Sequence, residues 1–337
     1  MTTHAAVPRR RARTTCTGRA LGAGRVLALV GLAVLVLGGC GPAAQGSGRP
    51  ALGPLPTIRS SDDIRLPLDT YIGTRSDRAV RETAREQLVS ACMARLGFTG
   101  YPVEDLAYYA RLPQHMNTFS DTSIADAERG GFATPAARLM TTAGAAYGRT
   151  FRAWGGDDVT FALNGPPTAS APAPVAAASP TSTGREVPPG GCDAEGTRRL
   201  YALAHVPALD GTWLDNEEGQ MIQSASDDPR MTPVTAAYAA CMHTAGYSYA
   251  TPSDAGNDPR WENDDELGPR PGERQAAVTS VRCQQQSRFL DTWVALATAY
   301  ELRFVEQNAE RLQQFKSVHE TVLAAVRAQG LGALPSS

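Results

Sequence analysis

A pattern that ends helices occurs twice in this chain and constrains its fold more than any other feature. The pattern is Cys-Met-x-x-x-Gly-aromatic, and it spans residues 92–98 and 241–247. In each copy a glycine stands where a helix terminator needs a left-handed residue, and the aromatic residue after it can fold back onto the turn before it. We therefore expect two helices that end in this way. The repetition leaves open whether 58–210 and 211–337 are two related modules or whether the likeness is a coincidence.

Periodic apolar residues predict a mainly α-helical fold. The first copy of the pattern closes a helix whose apolar face recurs every four residues, at Val80, Ala84, Leu88, Cys92 and Leu96. The second copy closes a helix over about 228–245.

Between these helices the sequence predicts smaller elements. Residues 103–110 and 134–146 have the pattern of short helices, the second with Thr134 as N-cap and Pro135 at the first helical position. The alternation of apolar side chains over 159–163 predicts a short strand. Residues 165–189 are dominated by Pro, Ala, Ser and Thr, and we expect a disordered loop there.

The end of the chain predicts the longest element. Residues 273–329 contain neither glycine nor proline, and their apolar side chains recur at three-four spacing. This spacing indicates one long helix, or two nearly continuous ones that pack along the body or form a hairpin. A coiled-coil dimer is the alternative use of the same stripe.

The beginning of the chain has the composition of an export signal. Residues 1–25 are rich in arginine, and the apolar run of residues 26–37 is too short for a permanent membrane helix. The run ends in Leu37-Gly38-Gly39-Cys40, which resembles the lipobox of bacterial lipoproteins position by position. That resemblance implies a signal peptide over 1–39, cleavage before Cys40 and a diacylglyceryl group on its sulfur.

A lipidated Cys40 would place the protein on the extracytoplasmic face of the cell membrane. Two acyl chains hold a protein stably on a bilayer, whereas one holds it only marginally. Residues 40–57 show neither helix nor strand pattern and indicate a flexible tether. The helical domain is expected over 58–337.

The charge of the chain argues against a nucleic-acid partner. Six arginines and no acidic residue precede Cys40, so the chain from Cys40 onward keeps 26 of the 32 basic residues against all 34 acidic ones. An acidic protein repels a polyanion. The partners that we expect are membrane lipid at Cys40 and an envelope protein or glycan.

The four later cysteines indicate disulfides, because an oxidising compartment favours them and their number is even. Cys92, Cys192, Cys241 and Cys283 allow three pairings. We favour Cys92 with Cys192 and Cys241 with Cys283. Each of these bonds encloses one module and joins a helix terminator to the helix that follows. Cys192 and Cys283 both stand early in a predicted helical pattern. A metal site is the alternative, but no C-x-x-C spacing or histidine cluster supports it.

No catalytic motif is present, and the sequence predicts no catalytic residue, metal or cofactor. His205, His243 and His319 are the histidines that a catalytic site would use. His243 could act as a base beside a Cys241 thiol, whereas His319 falls on the apolar stripe of the last helix, where a packed imidazole is expected.

The acid-rich stretch 254–266 is a calcium-loop candidate, but the spacing of its residues favours a solvated loop. Its ligands would be Glu262, Asp264, Asp265 and Glu266, and Trp261 beside them would cap the core or form an exposed contact.

Taken together, these features resemble a group of uncharacterised actinobacterial secreted or lipid-anchored proteins. The features are the lipobox, the entry segment 66–71, the two terminators, Gly190-Gly191-Cys192 and the final helix near Cys283. The resemblance implies location and a disulfide-linked helical fold, without an activity. We expect a binding or structural component of the envelope. A cell-wall-modifying enzyme, or an accessory subunit of an envelope transporter or sensor, is the alternative.

Overall fold

Helices make up most of the chain that the structure, a computed structural model, describes. The described residues are 48–115, 123–155, 157–165, 184–209, 211–261, 268–270 and 272–334, and no strand occurs among them. Residues 49–337 group into one unit by their contacts. The predicted signal peptide and Cys40 lie outside the described residues, as does most of the predicted loop 165–189. The mainly α-helical prediction is confirmed.

The α-helices of the described residues are numbered here along the chain. In chain order they are α1 (Asp69–Ile72), α2 (Arg75–Arg95), α3 (Ala107–Ala110), α4 (Ile124–Gly130), α5 (Pro135–Trp154), α6 (Asp157–Asn164), α7 (Gly191–Leu203), α8 (Gly211–Ser226), α9 (Met231–Thr244), α10 (Pro252–Gly256), α11 (Glu273–Ser287) and α12 (Phe289–Ala328).

Both predicted terminators have the expected geometry. Gly97 and Gly246 adopt positive φ angles of 100° and 88°. The N–H of Phe98 donates to the carbonyl of Met93 at 2.9 Å, and the N–H of Tyr247 donates to that of Met242 at 2.9 Å. These are the bonds that close a Schellman motif, and they satisfy carbonyls that the helix end would leave free.

The two disulfides have the favoured pairing. Cys92 is bonded to Cys192 and Cys241 to Cys283, with Cα atoms 5.6 Å apart in each pair. The first joins α2 to α7, and the second joins α9 to α11. Cys192 stands early in its helix as expected, but Cys283 lies in the second half of α11.

The long C-terminal element is two helices rather than one. α11 ends where Arg288 takes a left-handed conformation, with φ of 57°, and α12 begins at the next residue. α12 is kinked at Asn308, whose side-chain amide donates to the carbonyl of Phe304 at 3.0 Å. Side chains of its second half are buried against α1, α2, α7 and α8. The apolar stripe of α12 is thus used within the chain.

Two local predictions are wrong. The alternating residues 159–163 belong to α6 and form no strand, since Val159 and Ala162, one helical turn apart, share the buried face. The helix predicted over 103–110 covers only α3. The helix predicted from Pro135 is confirmed, with the Thr134 hydroxyl accepting from the N–H of Ala137, but it continues to Trp154.

Residues 49–57 have neither helix nor strand, as expected of a tether, but they lie against the helices. The guanidinium of Arg230 donates to the carbonyl of Pro50 at 3.0 Å, and that of Arg288 donates to the carbonyl of Pro56 at 3.1 Å. The N–H of Ile58 then donates to the carboxylate of Asp291 at 2.9 Å. This part of the predicted tether is held in place.

The contact between α2 and α7 is close enough to require a glycine. A Cβ atom on Gly196 would lie 2.6 Å from Cγ2 of Val89 and 3.2 Å from the carbonyl oxygen of Arg85. We expect Gly196→Ala to lower the free energy of unfolding by about 1–3 kcal/mol through overpacking, measured by chemical denaturation. The matched control is Gly144→Ala in α5, where a Cβ meets nothing within 4 Å. Alanine is the better helix former, so the control should not destabilise, and equal losses in both variants would contradict this contact.

Candidate functional site

A cleft of about 470 Å³ lies among α2, α7, α8 and α12. It sits between two apolar clusters of the core, one containing Leu200 and Val322 and the other Leu214 and Phe315. The volume falls within the range of roughly 300–1,000 Å³ that small-molecule sites occupy. The residues that line it are Ile72, Arg78, Ala79, Arg81, Glu82, Arg85, Leu106, Tyr109, Thr197, Leu200, Tyr201, Leu214, Asp215, Glu218, Phe315, His319 and Val322.

Helix α2 contributes three arginines to the cleft. Arg78, Arg81 and Arg85 share one helical face because they are spaced by three and four residues. Arg85 is paired with carboxylates, among them Glu86 and Asp193.

The other two arginines are not paired. Within the described part of the chain, neither Arg78 nor Arg81 makes an ion pair, and the Nε atom of Arg78 is buried without a hydrogen-bond partner. Burial lowers the pKa of Arg81, although a guanidinium stays charged at any physiological pH. The cleft thus holds two positive charges that form no ion pair with any carboxylate of the described residues.

A histidine from α12 completes this side of the cleft. The ring of His319 packs edge-on against Phe315, with 4.2 Å between the ring centroids. Its Nδ1 atom is buried and has no hydrogen-bond partner among the described residues. Burial, together with the charges of Arg81 and Arg78, lowers the pKa of His319 to about 3, so the imidazole is neutral at physiological pH.

Acidic residues also line the cleft. α8 presents Asp215 and Glu218, of which Asp215 is exposed and Glu218 is half-buried. Burial raises the pKa of Glu218, which the nearby charges of His115 and Arg78 partly offset.

Glu301 of α12 interacts electrostatically with Glu218 and Asp69 and is almost completely buried. Its carboxylate accepts a hydrogen bond from the N–H of Leu68 at 2.9 Å. Burial raises its pKa to about 8, and the negative charges of Glu218 and Asp69 act in the same direction. Asp69 itself is hydrogen-bonded to the Nε2 atom of His115 at 2.9 Å. Because of its raised pKa, Glu301 is a neutral acid near the charged cleft.

Of the three candidate histidines, only His319 lies in the cleft. His205 is exposed and ends α7 in a left-handed conformation with φ of 53°, the position that glycine takes in the two terminators. His243 is exposed on α9, and the disulfide at Cys241 removes the thiol that it would have served. The structure thus gives His205 a role in ending a helix.

The acid-rich stretch has structural roles where it is described. Asp254 closes a capping box with Thr251 at the start of α10, and Asp258 binds the hydroxyl of Tyr249 at 2.6 Å. Trp261 stacks on Phe132 with centroids 6.1 Å apart, so it caps the core. All four predicted calcium ligands, Glu262, Asp264, Asp265 and Glu266, lie outside the described residues. No cluster of three or more metal-ligating side chains occurs in the part of the chain that the structure describes.

The sequence does not predict the cleft, because its walls come from helices that are far apart in the chain: α2, α7, α8 and α12, with Ile72 of α1 and Tyr109 of α3. One signal was available in α2, where Arg78, Arg81 and Arg85 run beside the apolar face that packs into the core. Arginines at the border of a buried face often extend to solvent, so the spacing alone does not distinguish a binding wall from a solvated one.

Within the described ranges, no helix combines the length and the apolar character that a membrane span requires. No family model, no curated protein and no solved structure matches this chain.

Proposed function

We propose that the protein is an extracytoplasmic lipoprotein, anchored to the cell membrane through Cys40, that acts as a binding component of the envelope. The observation that carries the proposal is the pair of disulfides, Cys92–Cys192 and Cys241–Cys283. Structural disulfides persist in oxidising compartments and are rare in the cytosol. They support export, and the lipobox at residues 37–40 supports retention at the membrane.

The cleft among α2, α7, α8 and α12 supports a binding role. It combines apolar walls with a few polar groups that have no partner among the described residues, and a ligand site usually combines such walls with a few polar groups. The accessory-subunit alternative relied on the long helix as a docking surface. The stripe that would have docked is covered by the chain's own helices, with Leu312 and Val322 almost completely buried.

Lipidation at Cys40 is tested by replacing it. We expect Cys40→Ala to abolish incorporation of labelled palmitate in the bacterial cell and to release the protein from its normal place in the membrane fraction, because the sulfur that carries the diacylglyceryl group is gone. The matched control is Cys16→Ala, which removes the other cysteine of the first 40 residues but leaves the lipobox intact. Labelling that survives Cys40→Ala, or that disappears in Cys16→Ala, would contradict the proposed anchor.

A further inference from the structure

We propose that the cleft among α2, α7, α8 and α12 binds a small monoanionic carboxylate with an apolar body, and that Arg78 and Arg81 hold its carboxylate. The proposal rests on the binding role proposed above, but it does not depend on lipid attachment at Cys40. It assigns a ligand class to a site that the sequence did not reveal.

The first argument is the state of the two arginines. Arg78 and Arg81 lie three residues apart on α2, so their side chains project from the same face into the cleft wall. Removing part of a guanidinium charge from water costs free energy, and an ion pair offsets that cost. Arg85 on the same face has carboxylate partners, whereas Arg78 and Arg81 do not. A ligand carboxylate is the group that would supply them, since the guanidinium fork matches its two oxygens.

The second argument is the buried polar atoms around them. The Nε atom of Arg78 and the Nδ1 atom of His319 are both buried without a hydrogen-bond partner in the described part of the chain. Buried polar atoms in folded proteins are nearly always hydrogen-bonded, and an unbonded one calls for a specific explanation. Both residues line the cleft, so a polar ligand group held by Arg78 would lie beside two polar atoms that the described residues leave unbonded.

The charge of the cleft limits the ligand to a single negative charge. Asp215 and Glu218 line the same space and would repel a polyphosphate or a nucleic acid. Arg85 is already paired, with Glu82 among others, so only Arg78 and Arg81 remain to bind an anion. One carboxylate is therefore the anion that this balance accommodates.

The rest of the cleft indicates an apolar body. Leu106, Leu200, Leu214, Phe315 and Val322 line it, and its volume of about 470 Å³ leaves room for more than a carboxylate. Tyr109, Thr197 and Tyr201 are further lining residues that carry hydroxyl groups. Apolar contact would supply affinity and the arginines would supply selectivity.

The test compares three water-soluble probes that share one body and differ in charge: 3-phenylpropionate, the neutral 3-phenylpropanamide and the cationic 3-phenylpropylammonium. Calorimetry on the full mature protein in lipid nanodiscs, with empty nanodiscs subtracted, should show binding of the carboxylate. The amide should bind at least tenfold more weakly, since a neutral amide forms weaker hydrogen bonds with a guanidinium than a carboxylate does. Equal binding of amide and carboxylate, preferred binding of the cation, or no binding of the carboxylate at millimolar concentration would overturn the proposal.

The matched variants are Arg81→Gln and, as a control, Arg149→Gln on the exposed surface of α5. We expect Arg81→Gln to weaken carboxylate binding at least tenfold and Arg149→Gln to leave it unchanged. Scanning calorimetry supplies a second readout. An arginine that holds the fold together would lower Tm when replaced, whereas an unpaired half-buried arginine kept for a ligand should leave Tm unchanged or raise it. A lowered Tm in Arg81→Gln with unaltered carboxylate affinity would assign this residue to structure instead.

The outcome separates this inference from the proposed anchor. If the protein binds the carboxylate but carries no palmitate on Cys40, the proposed ligand site is supported and the proposed anchor is contradicted. If Cys40 carries palmitate but the protein does not bind the carboxylate, the anchor is supported and the ligand class is contradicted.

Discussion

Replacing Cys92 and Cys192 by alanine is expected to lower the free energy of unfolding by about 4–5 kcal/mol. The bond closes a loop whose ends are 100 residues apart, and in the chain-entropy model a loop of that length restricts the unfolded chain by about this amount. The loss is comparable to the whole stability of a marginal protein. Both cysteines are fully buried beside Val89 and Met93, so their packing is lost as well. Chemical denaturation of the double variant without reductant measures the effect.

The second disulfide provides the comparison. Cys241 and Cys283 are separated by 42 residues, so their joint replacement should cost somewhat less, about 4 kcal/mol. Reduction of the unaltered protein should reproduce both losses together. A loss below about 1 kcal/mol in either double variant, or four free thiols by mass mapping of non-reduced peptides, would contradict the role that we assign to these bonds.

Replacing Glu301 by glutamine is expected to stabilise the protein at alkaline pH and to remove part of its pH dependence. The folded protein holds the proton of Glu301 up to a pKa of about 8, whereas the ordinary value is 4.5. Between these two values the unfolded chain releases a proton that the folded chain keeps, so stability falls as the pH rises. The difference corresponds to at most about 5 kcal/mol. Glutamine resembles the neutral acid and keeps an acceptor for the N–H of Leu68.

The measurement is the free energy of unfolding between pH 5.5 and 9 for three proteins. The unaltered protein should lose stability across this window, and Glu301→Gln should lose less. The control is Glu310→Gln, an exposed residue on the same helix, which should follow the unaltered protein. If Glu301→Gln and the unaltered protein had parallel pH profiles, the carboxyl would be ionised at neutral pH and the inferred burial of a neutral acid would be wrong.

The parts of the fold that the sequence predicts are those determined by neighbouring residues. A helix terminator needs only a glycine and an apolar residue within a few positions, so both Cys-Met-x-x-x-Gly-aromatic segments were interpreted correctly. The N-cap at Thr134 is local in the same sense. The four cysteines allow three pairings, and the observed one is favoured because each bond encloses one module and joins a terminator to the helix that follows.

The parts that the sequence does not predict depend on distant contacts. The residues of α6 alternate over too few positions to distinguish a strand from a helix, and burial of Val159 and Ala162 decides the outcome. The break between α11 and α12 at Arg288 has no glycine or proline that would predict it. Arg288 is held there by an ion pair with Asp291 and by the hydrogen bond from its guanidinium to the carbonyl of Pro56. The cleft depends on helices that only the folded chain brings together.

The contacts of Pro50 and Pro56 have a consequence for preparing a shortened form of the protein. The helical pattern of the sequence suggests that a shortened polypeptide could begin near Ile58, where the predicted helical domain begins. A polypeptide that began there would leave the guanidinium groups of Arg230 and Arg288 without the carbonyls that they bind. Truncation for crystallisation or antibody production should therefore begin at Gly48 or earlier, so that the nine residues from Arg49 to Thr57 remain with the helices they contact.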